Sequence, residues 1–192
     1  LLRTVPDLII DSDHMMAISP DEGGTSRAVY LANVLGLDMG MFYKRRDYTQ
    51  IVDGRNPIVA HEFLGSSVEG KDVIIIDDMI SSGDSIIDVA TELKRRKAKR
   101  IFAAATFGLF TNGLDKFDKA YEEGIIHGIL TTNLIYQTPE LLSRPYYINC
   151  DLSKYIALII DTLNHDGSIS SILSPNERIQ NVVKKYRNGE KI

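Results

Sequence analysis

Four branched apolar residues, Val73, Ile74, Ile75 and Ile76, run without alternation and meet two adjacent carboxylates, Asp77 and Asp78. No other stretch of the chain restricts the fold as much. A β-branched run with no polar face must be buried on both sides, as a central strand of a parallel sheet is. Met79 and Ile80 follow, and then a loop of small and hydroxylic residues, Ser81-Ser82-Gly83-Asp84-Ser85. Beyond it Ile86, Ile87, Val89, Ala90 and Leu93 recur at helical spacing and lead into Lys94-Arg95-Arg96, so the spacing predicts an amphipathic helix. Strand, acidic pair, loop and helix together place polar groups at the carboxyl end of a strand. Open α/β sheets bind ligands at that edge.

The rest of the chain repeats the alternation. Strands are expected near 15–18, 39–43, 73–76, 100–106 and 126–131, with an edge strand at 146–150. Helices are expected at 26–35, 114–121, 153–163 and 176–186, and residues 1–11 read as a helix end and a connection. The pattern predicts an α/β fold, a mostly parallel five-stranded twisted sheet flanked by helices. One domain would span 1–173, followed by a helical tail over 174–192. Right-handed crossovers bring the carboxyl ends of parallel strands to one edge, so the polar loops after four strands are expected to build one composite site. Residues 47–65 show no clear periodicity. A connection of that length marks a lid, expected to be mobile between about 47 and 63 without nucleotide.

With 192 residues the chain can bury one ordinary core. Its net charge of −4 provides no general basic field, which argues against a nucleic-acid partner. The single cysteine, Cys150, rules out an internal disulfide, fits a reducing cytoplasm and reads as a small buried residue. No apolar run has the length of a membrane helix. The four histidines, at 14, 61, 127 and 165, share no ligand spacing. The chain begins at Leu1 without methionine, so it is expected to be part of a longer polypeptide.

The chemistry of 73–85 has two readings. Backbone N–H groups at a helix start, with serine hydroxyls, make an anion site, and two carboxylates suit sugar hydroxyls or a metal ion. A ribose phosphate carries both kinds of group. Alternatively, the aspartates end a strand and the serines cap a helix. Residue types alone leave both open. Asp84 would repel an anion in such a cradle, so its carboxylate is expected to point away or to be held by a backbone N–H.

The stretch resembles the ribose 5-phosphate loop of the ribose-phosphate pyrophosphokinases and, more distantly, that of type I phosphoribosyltransferases. The family pattern is an apolar strand, two aspartates, Met-Ile, Asp-Thr, a small residue and Gly-Thr. This chain keeps Asp77, Asp78, Met79 and Ile80, and has Ser81 for aspartate, Ser82 for threonine, Asp84 for glycine and Ser85 for threonine. Ser19-Pro20-Asp21-Glu22-Gly23-Gly24 resembles the family's Ser-Pro-Asp-x-Gly-Gly loop, and Lys44-Arg45-Arg46 its Lys-x-Arg. Residues 106–113, TFGLFTNG, resemble Thr-His-Gly-x-Phe-Ser-Gly with Phe107 in place of the histidine, so packing is expected of Phe107 and Phe110 rather than proton transfer. The resemblance covers residues 10–173.

It implies a type I phosphoribosyltransferase-like fold and the carboxyl-terminal domain of an enzyme with two similar halves. That enzyme transfers the β,γ-diphosphoryl group of ATP to the C1 hydroxyl of ribose 5-phosphate. Asp77 and Asp78 would hold the ribose hydroxyls, and Ser81, Ser82, Gly83, Asp84 and Ser85 the phosphate. Asp21 would help hold the Mg²⁺ bound to ATP, with Gly23 and Gly24 forming the adjacent turn. Lys44 and Arg46 would stabilise the transferring group. The partners implied are ATP, ribose 5-phosphate and further copies of the chain, from dimer to hexamer. The other half would add adenine contacts and a metal-binding histidine. Two rivals remain. A phosphoribosyltransferase acting on a base should lack the 19–24 loop followed by Lys-x-Arg. A non-catalytic, ribose-phosphate-binding regulatory relative would fit the departures at Ser81 and Asp84.

Overall fold

The structure is a computed structural model that describes residues 1–46 and 58–190, with residues 44–46, 58–61 and 171 described by their backbone alone. Its centre is a seven-stranded sheet. The strands are β1 (Met15–Ser19), β2 (Asp38–Arg46), β3 (Ile58–Leu64), β4 (Asp72–Ile80), β5 (Arg100–Gly108), β6 (Gly128–Thr132) and β7 (Tyr147–Cys150), in the order β3-β2-β1-β4-β5-β6-β7. All pairings are parallel except that of β3 with β2. The α/β class and mostly parallel sheet are as expected, with seven strands rather than five.

The run Val73–Ile76 is buried on both faces as its composition requires. Val73 and Ile75 pack with Ile86, Val89 and Leu93 of α2 (Asp84–Arg95) and Phe117 and Ala120 of α3 (Asp115–Glu122). Ile74 and Ile76 face the opposite layer, with Leu31 of α1 (Thr25–Leu35) and Leu8. Alternate residues of one strand thus serve two cores, so no polar position survives before Asp77. At the amino end of β4 the buried Asp72 carboxylate is neutralised by the Arg100 guanidinium through bonds of 2.8 and 2.6 Å.

Three expectations are corrected. Residues 58–64 are not loop: they form β3 and pair antiparallel with β2, Met41 opposite Leu64 and Lys44 opposite His61. The remainder of the expected lid, 47–57, lies outside the described residues. The run 73–76 does not end at the aspartates. β4 continues through Asp77 and Asp78 to Ile80, because β5 pairs with it as far as Ile80 opposite Gly108. Residues 1–11 form turns rather than a helix end.

The remaining helices are α4 (Pro139–Leu142), α5 (Ser153–Asn164), α6 (Ser170–Leu173) and α7 (Asn176–Arg187). Asp151 starts α5 by accepting the Ser153 N–H at 2.8 Å, but α5 buries none of its residues. The α7 helix lies against α1: the Tyr30 hydroxyl donates to Asn176 at 2.7 Å, and Gln180 donates to the Val34 carbonyl. Its far end reaches the first residues of the chain, where the Leu8 N–H donates to the Tyr186 hydroxyl at 3.0 Å.

Candidate functional site

The helices that follow β1 and β4 leave the sheet on opposite faces, α1 on one and α2 on the other. Strand order therefore reverses between these two neighbours, and a crevice opens at their carboxyl ends. The loop 19–24 after β1 and the Asp77-Asp78 pair of β4 both lie there. Asp21 and Asp77 share one edge of the sheet, as a composite site requires.

The 19–24 loop is held by its own side chains. The buried Ser19 hydroxyl donates to the Asp21 carbonyl at 2.6 Å, and Asp21 Oδ1 accepts the Gly24 N–H at 3.1 Å. A Cβ on Gly24 would stand 2.7 Å from Ser19 Oγ and 3.3 Å from the Ile76 carbonyl, so only glycine lets the loop lie this close to β4.

Asp77 lines a largely apolar cavity of about 500 Å³, formed by α1 residues such as Tyr30 and Leu31 and by Ile76, Ala105 and Leu130 of the sheet. Burial there pushes its carboxyl up to about 6; the hydrogen-bonded Asp78 carboxyl adds to the rise and Asp21 adds a smaller part. Asp78 lies lower than an ordinary aspartate because of that same hydrogen bond and the charge of Arg27. Asp77 is therefore the member of the pair that takes up a proton first as pH falls. Arg27, in the first turn of α1, places Nη2 3.5 Å from Asp77 Oδ1 and 3.5 Å from Asp78 Oδ1. These contacts are Coulombic rather than tight hydrogen bonds. Its Nε is buried without a hydrogen-bond partner among the described residues.

The 81–85 loop opens α2. Gly83 adopts φ +84°, and a Cβ there would lie 2.2 Å from Cζ of the fully buried Phe117. The loop after β5 braces it from the side: Leu109 N–H donates to the Ile80 carbonyl at 2.8 Å and Thr111 N–H to the Ser81 carbonyl at 3.1 Å. Ser82 Oγ donates to Asp84 Oδ2 at 2.7 Å, and Lys116 is ion-paired with Asp84 Oδ1. The Asp84 carboxylate, expected to point away or to be held by a backbone N–H, is held by Lys116 and by the Ser82 hydroxyl of its own loop. Phe110 packs edge-on against Phe117 at 5.1 Å as expected, whereas Phe107 is 36% exposed and does not.

Lys44 and Arg46 lie at the end of β2, which runs beyond the expected 39–43 to Arg46. β2 runs past the level of Ser19, which pairs with Met41, so both residues follow the carboxyl end of β1 on the same side as Asp21; the register shifts between Arg45 and Arg46. Among the described residues no three His, Cys, Asp or Glu side chains converge as a metal cage. The carboxylates available, Asp21 and the Asp77-Asp78 pair, are hard oxygen donors. They suit Mg²⁺, which takes one or two carboxylates and keeps the rest of its shell from water and substrate phosphate.

The family model described as "Phosphoribosyl transferase domain" matches residues 10–127, more than half of the chain. The chain belongs to this family. A ribose-phosphate pyrophosphokinase of Vibrio parahaemolyticus is 31% identical over 164 residues, which is 84% of this chain and 49% of that protein. One of Mycoplasma genitalium is 32% identical over 179 residues, 93% of this chain and 51% of that protein. The chain spans about half the length of these curated relatives. The crystal structure of phosphoribosylpyrophosphate synthetase from Mycobacterium smegmatis superposes with a TM-score of 0.66 over 80% of this chain and 46% of that one; at 24% identity this likeness concerns the fold.

Within this phosphoribosyl transferase domain, two site residues escape motif reading. Arg27 carries no signal beyond its place three residues after Gly24. Lys116 is marked only by being a cation in the βα unit after the one that carries Asp84. The described residues contain no helix long and apolar enough to cross a membrane.

Proposed function

We propose that this chain is the carboxyl-terminal half of a ribose-phosphate diphosphokinase, with residues 1–173 as its α/β domain and 174–192 as a helical tail. The C1 hydroxyl oxygen of ribose 5-phosphate attacks the β-phosphorus of ATP, the bond to the α-phosphate oxygen breaks, and phosphoribosyl pyrophosphate and AMP result. The Ser81 and Ser85 hydroxyls and the backbone N–H groups of Ser82, Gly83 and the first turn of α2 hold the 5-phosphate. Asp77 and Asp78 accept the ribose hydroxyls. Lys44 and Arg46 neutralise the diphosphoryl group in transit. Magnesium bound with ATP supplies further neutralisation of polyphosphate charge, and Asp21 is the carboxylate placed to hold it. The single cysteine is in keeping with a cytoplasmic setting, and the resemblance suggests a homo-oligomer.

One observation carries the reading: the Asp77-Asp78 pair, the loop that opens α2 and the Asp21 loop meet at a single strand-order reversal. A diol-binding pair and an anion cradle at that spacing match a ribose phosphate. The test is AMP release from ATP and ribose 5-phosphate by the full-length polypeptide that contains this chain. Release that depends on ribose 5-phosphate is expected. Its absence, with retained sugar-phosphate binding, would favour a regulatory relative; release of pyrophosphate from phosphoribosyl pyrophosphate in the presence of a base would favour a phosphoribosyltransferase.

A further inference from the structure

The 81–85 loop holds a contradiction that the structure resolves with a residue outside it. An anion cradle is built from N–H and O–H donors, yet Asp84 sets a carboxylate at the first position of α2. Both of its oxygens are engaged, Oδ2 by the Ser82 hydroxyl at 2.7 Å and Oδ1 by the Lys116 ammonium. Asp84 and Lys116 face a groove between α2 and α3 that also carries Asp88, Lys119 and Glu123. This is a different opening from the cavity beside Asp77, to which Asp84 does not contribute.

The location of Lys116 is fixed by the residue next to it. Phe117 is fully buried and its ring fills the space in front of Gly83. The hydrogen bonds from Leu109 and Thr111 to Ile80 and Ser81 tie the preceding loop to the same segment. The first turn of α3 is therefore docked on the loop, and the buried Phe117 contact sets where the solvent-exposed Lys116 meets Asp84.

We propose that Lys116 is a positioning residue of the phosphate loop: it pairs with the Asp84 carboxylate at the groove between α2 and α3 and cancels its charge, so that a sugar phosphate can enter the 81–85 cradle. The inference rests on the reading of 81–85 as a sugar-phosphate site. Like charges close together oppose each other, and an unscreened carboxylate beside a phosphate dianion would lower affinity.

Calorimetric titration of the 192-residue chain with ribose 5-phosphate tests this in four proteins. Lys116→Met keeps the aliphatic stem and removes the charge, and it should weaken binding about tenfold, or 1.4 kcal/mol. Lys116→Arg should bind within about threefold of wild type. Adding Asp84→Gly to Lys116→Met should restore most of the lost affinity, a rescue that a purely structural lysine would not show. Three results would overturn the proposal alone: an unaltered Lys116→Met, a Lys116→Arg as weak as Lys116→Met, or a double variant as weak as Lys116→Met, the last meaning that the lysine touches phosphate itself. Wild type that binds no ribose 5-phosphate would instead overturn the sugar-phosphate reading beneath it.

Discussion

Arg27 Nη2 lies 3.5 Å from Asp77 Oδ1, so a helix that follows one strand supplies the counter-charge to the acidic pair on its neighbour. The same nitrogen is 3.5 Å from Asp78 Oδ1. Two adjacent carboxylates, one in an apolar cavity wall, would otherwise repel each other. Arg27→Gln should therefore raise the lower of the pair's two apparent pKa values, the one dominated by Asp78. Carboxyl-carbon NMR titration reads this directly; an unmoved or lower value would remove Arg27 from the site's electrostatics.

Gly83 should be intolerant of even one added carbon. Its φ of +84° disfavours any L side chain, and a Cβ would meet the buried Phe117 ring at 2.2 Å. Left-handed backbone costs roughly 1–2 kcal/mol and overpacking about 1–3 kcal/mol. Gly83→Ala should lower unfolding stability by about 3 kcal/mol in urea titration. A loss under roughly 1 kcal/mol would mean that α3 yields freely and is not docked on the loop.

Asp77 should cost stability at neutral pH. Its folded pKa of about 6 lies above the unfolded carboxylate value of about 3.9. The native state holds the proton more tightly, so the stabilising contribution is present below the unfolded value and is lost as pH rises through about 6. Asp78, held low, works in the opposite sense and loses its contribution as pH falls. Asp77→Asn should be more stable than wild type at pH 7–8, with the advantage shrinking toward pH 4. A constant difference across that range would show that burial does not raise this carboxyl.

In the full-length polypeptide, Lys44→Ala should lower kcat about 100-fold while changing the KM for ribose 5-phosphate far less, because charge neutralisation of the moving group is felt in the transition state. Steady-state AMP release separates the two constants, and an unchanged kcat would take Lys44 out of the mechanism. The 192-residue chain alone, about half the length of its relatives, should bind the sugar but barely turn over.

Much of this was legible in the sequence because the signals were local. The unbroken run Val73–Ile76 announced a strand buried on two faces, and the loops at 19–24 and 81–85 follow neighbouring parallel strands at one edge of the sheet, as expected. What escaped reading depends on tertiary pairing. β3 contains His61 and Glu62 amid apolar residues and, among the described residues, pairs with β2 alone, so no periodicity marked it. Aspartate is poor in strands, yet Asp77 lies opposite Ala105 inside β4 because β5 supplies the ladder. Arg27 and Lys116 belong to helices whose sequence says nothing of which carboxylates they will face.

The central claim is that the Asp77-Asp78 pair and the 81–85 loop together form a sugar-phosphate site. Its most direct test is competition calorimetry on the 192-residue chain, with ribose 5-phosphate as ligand and inorganic phosphate as competitor. One equivalent should bind with Kd on the order of 1 mM or tighter, about −4 kcal/mol. Phosphate should compete, and the combined Asp77→Asn, Asp78→Asn variant should bind at least tenfold more weakly. No heat up to roughly 10 mM sugar phosphate, or equal binding by that variant, would contradict the claim.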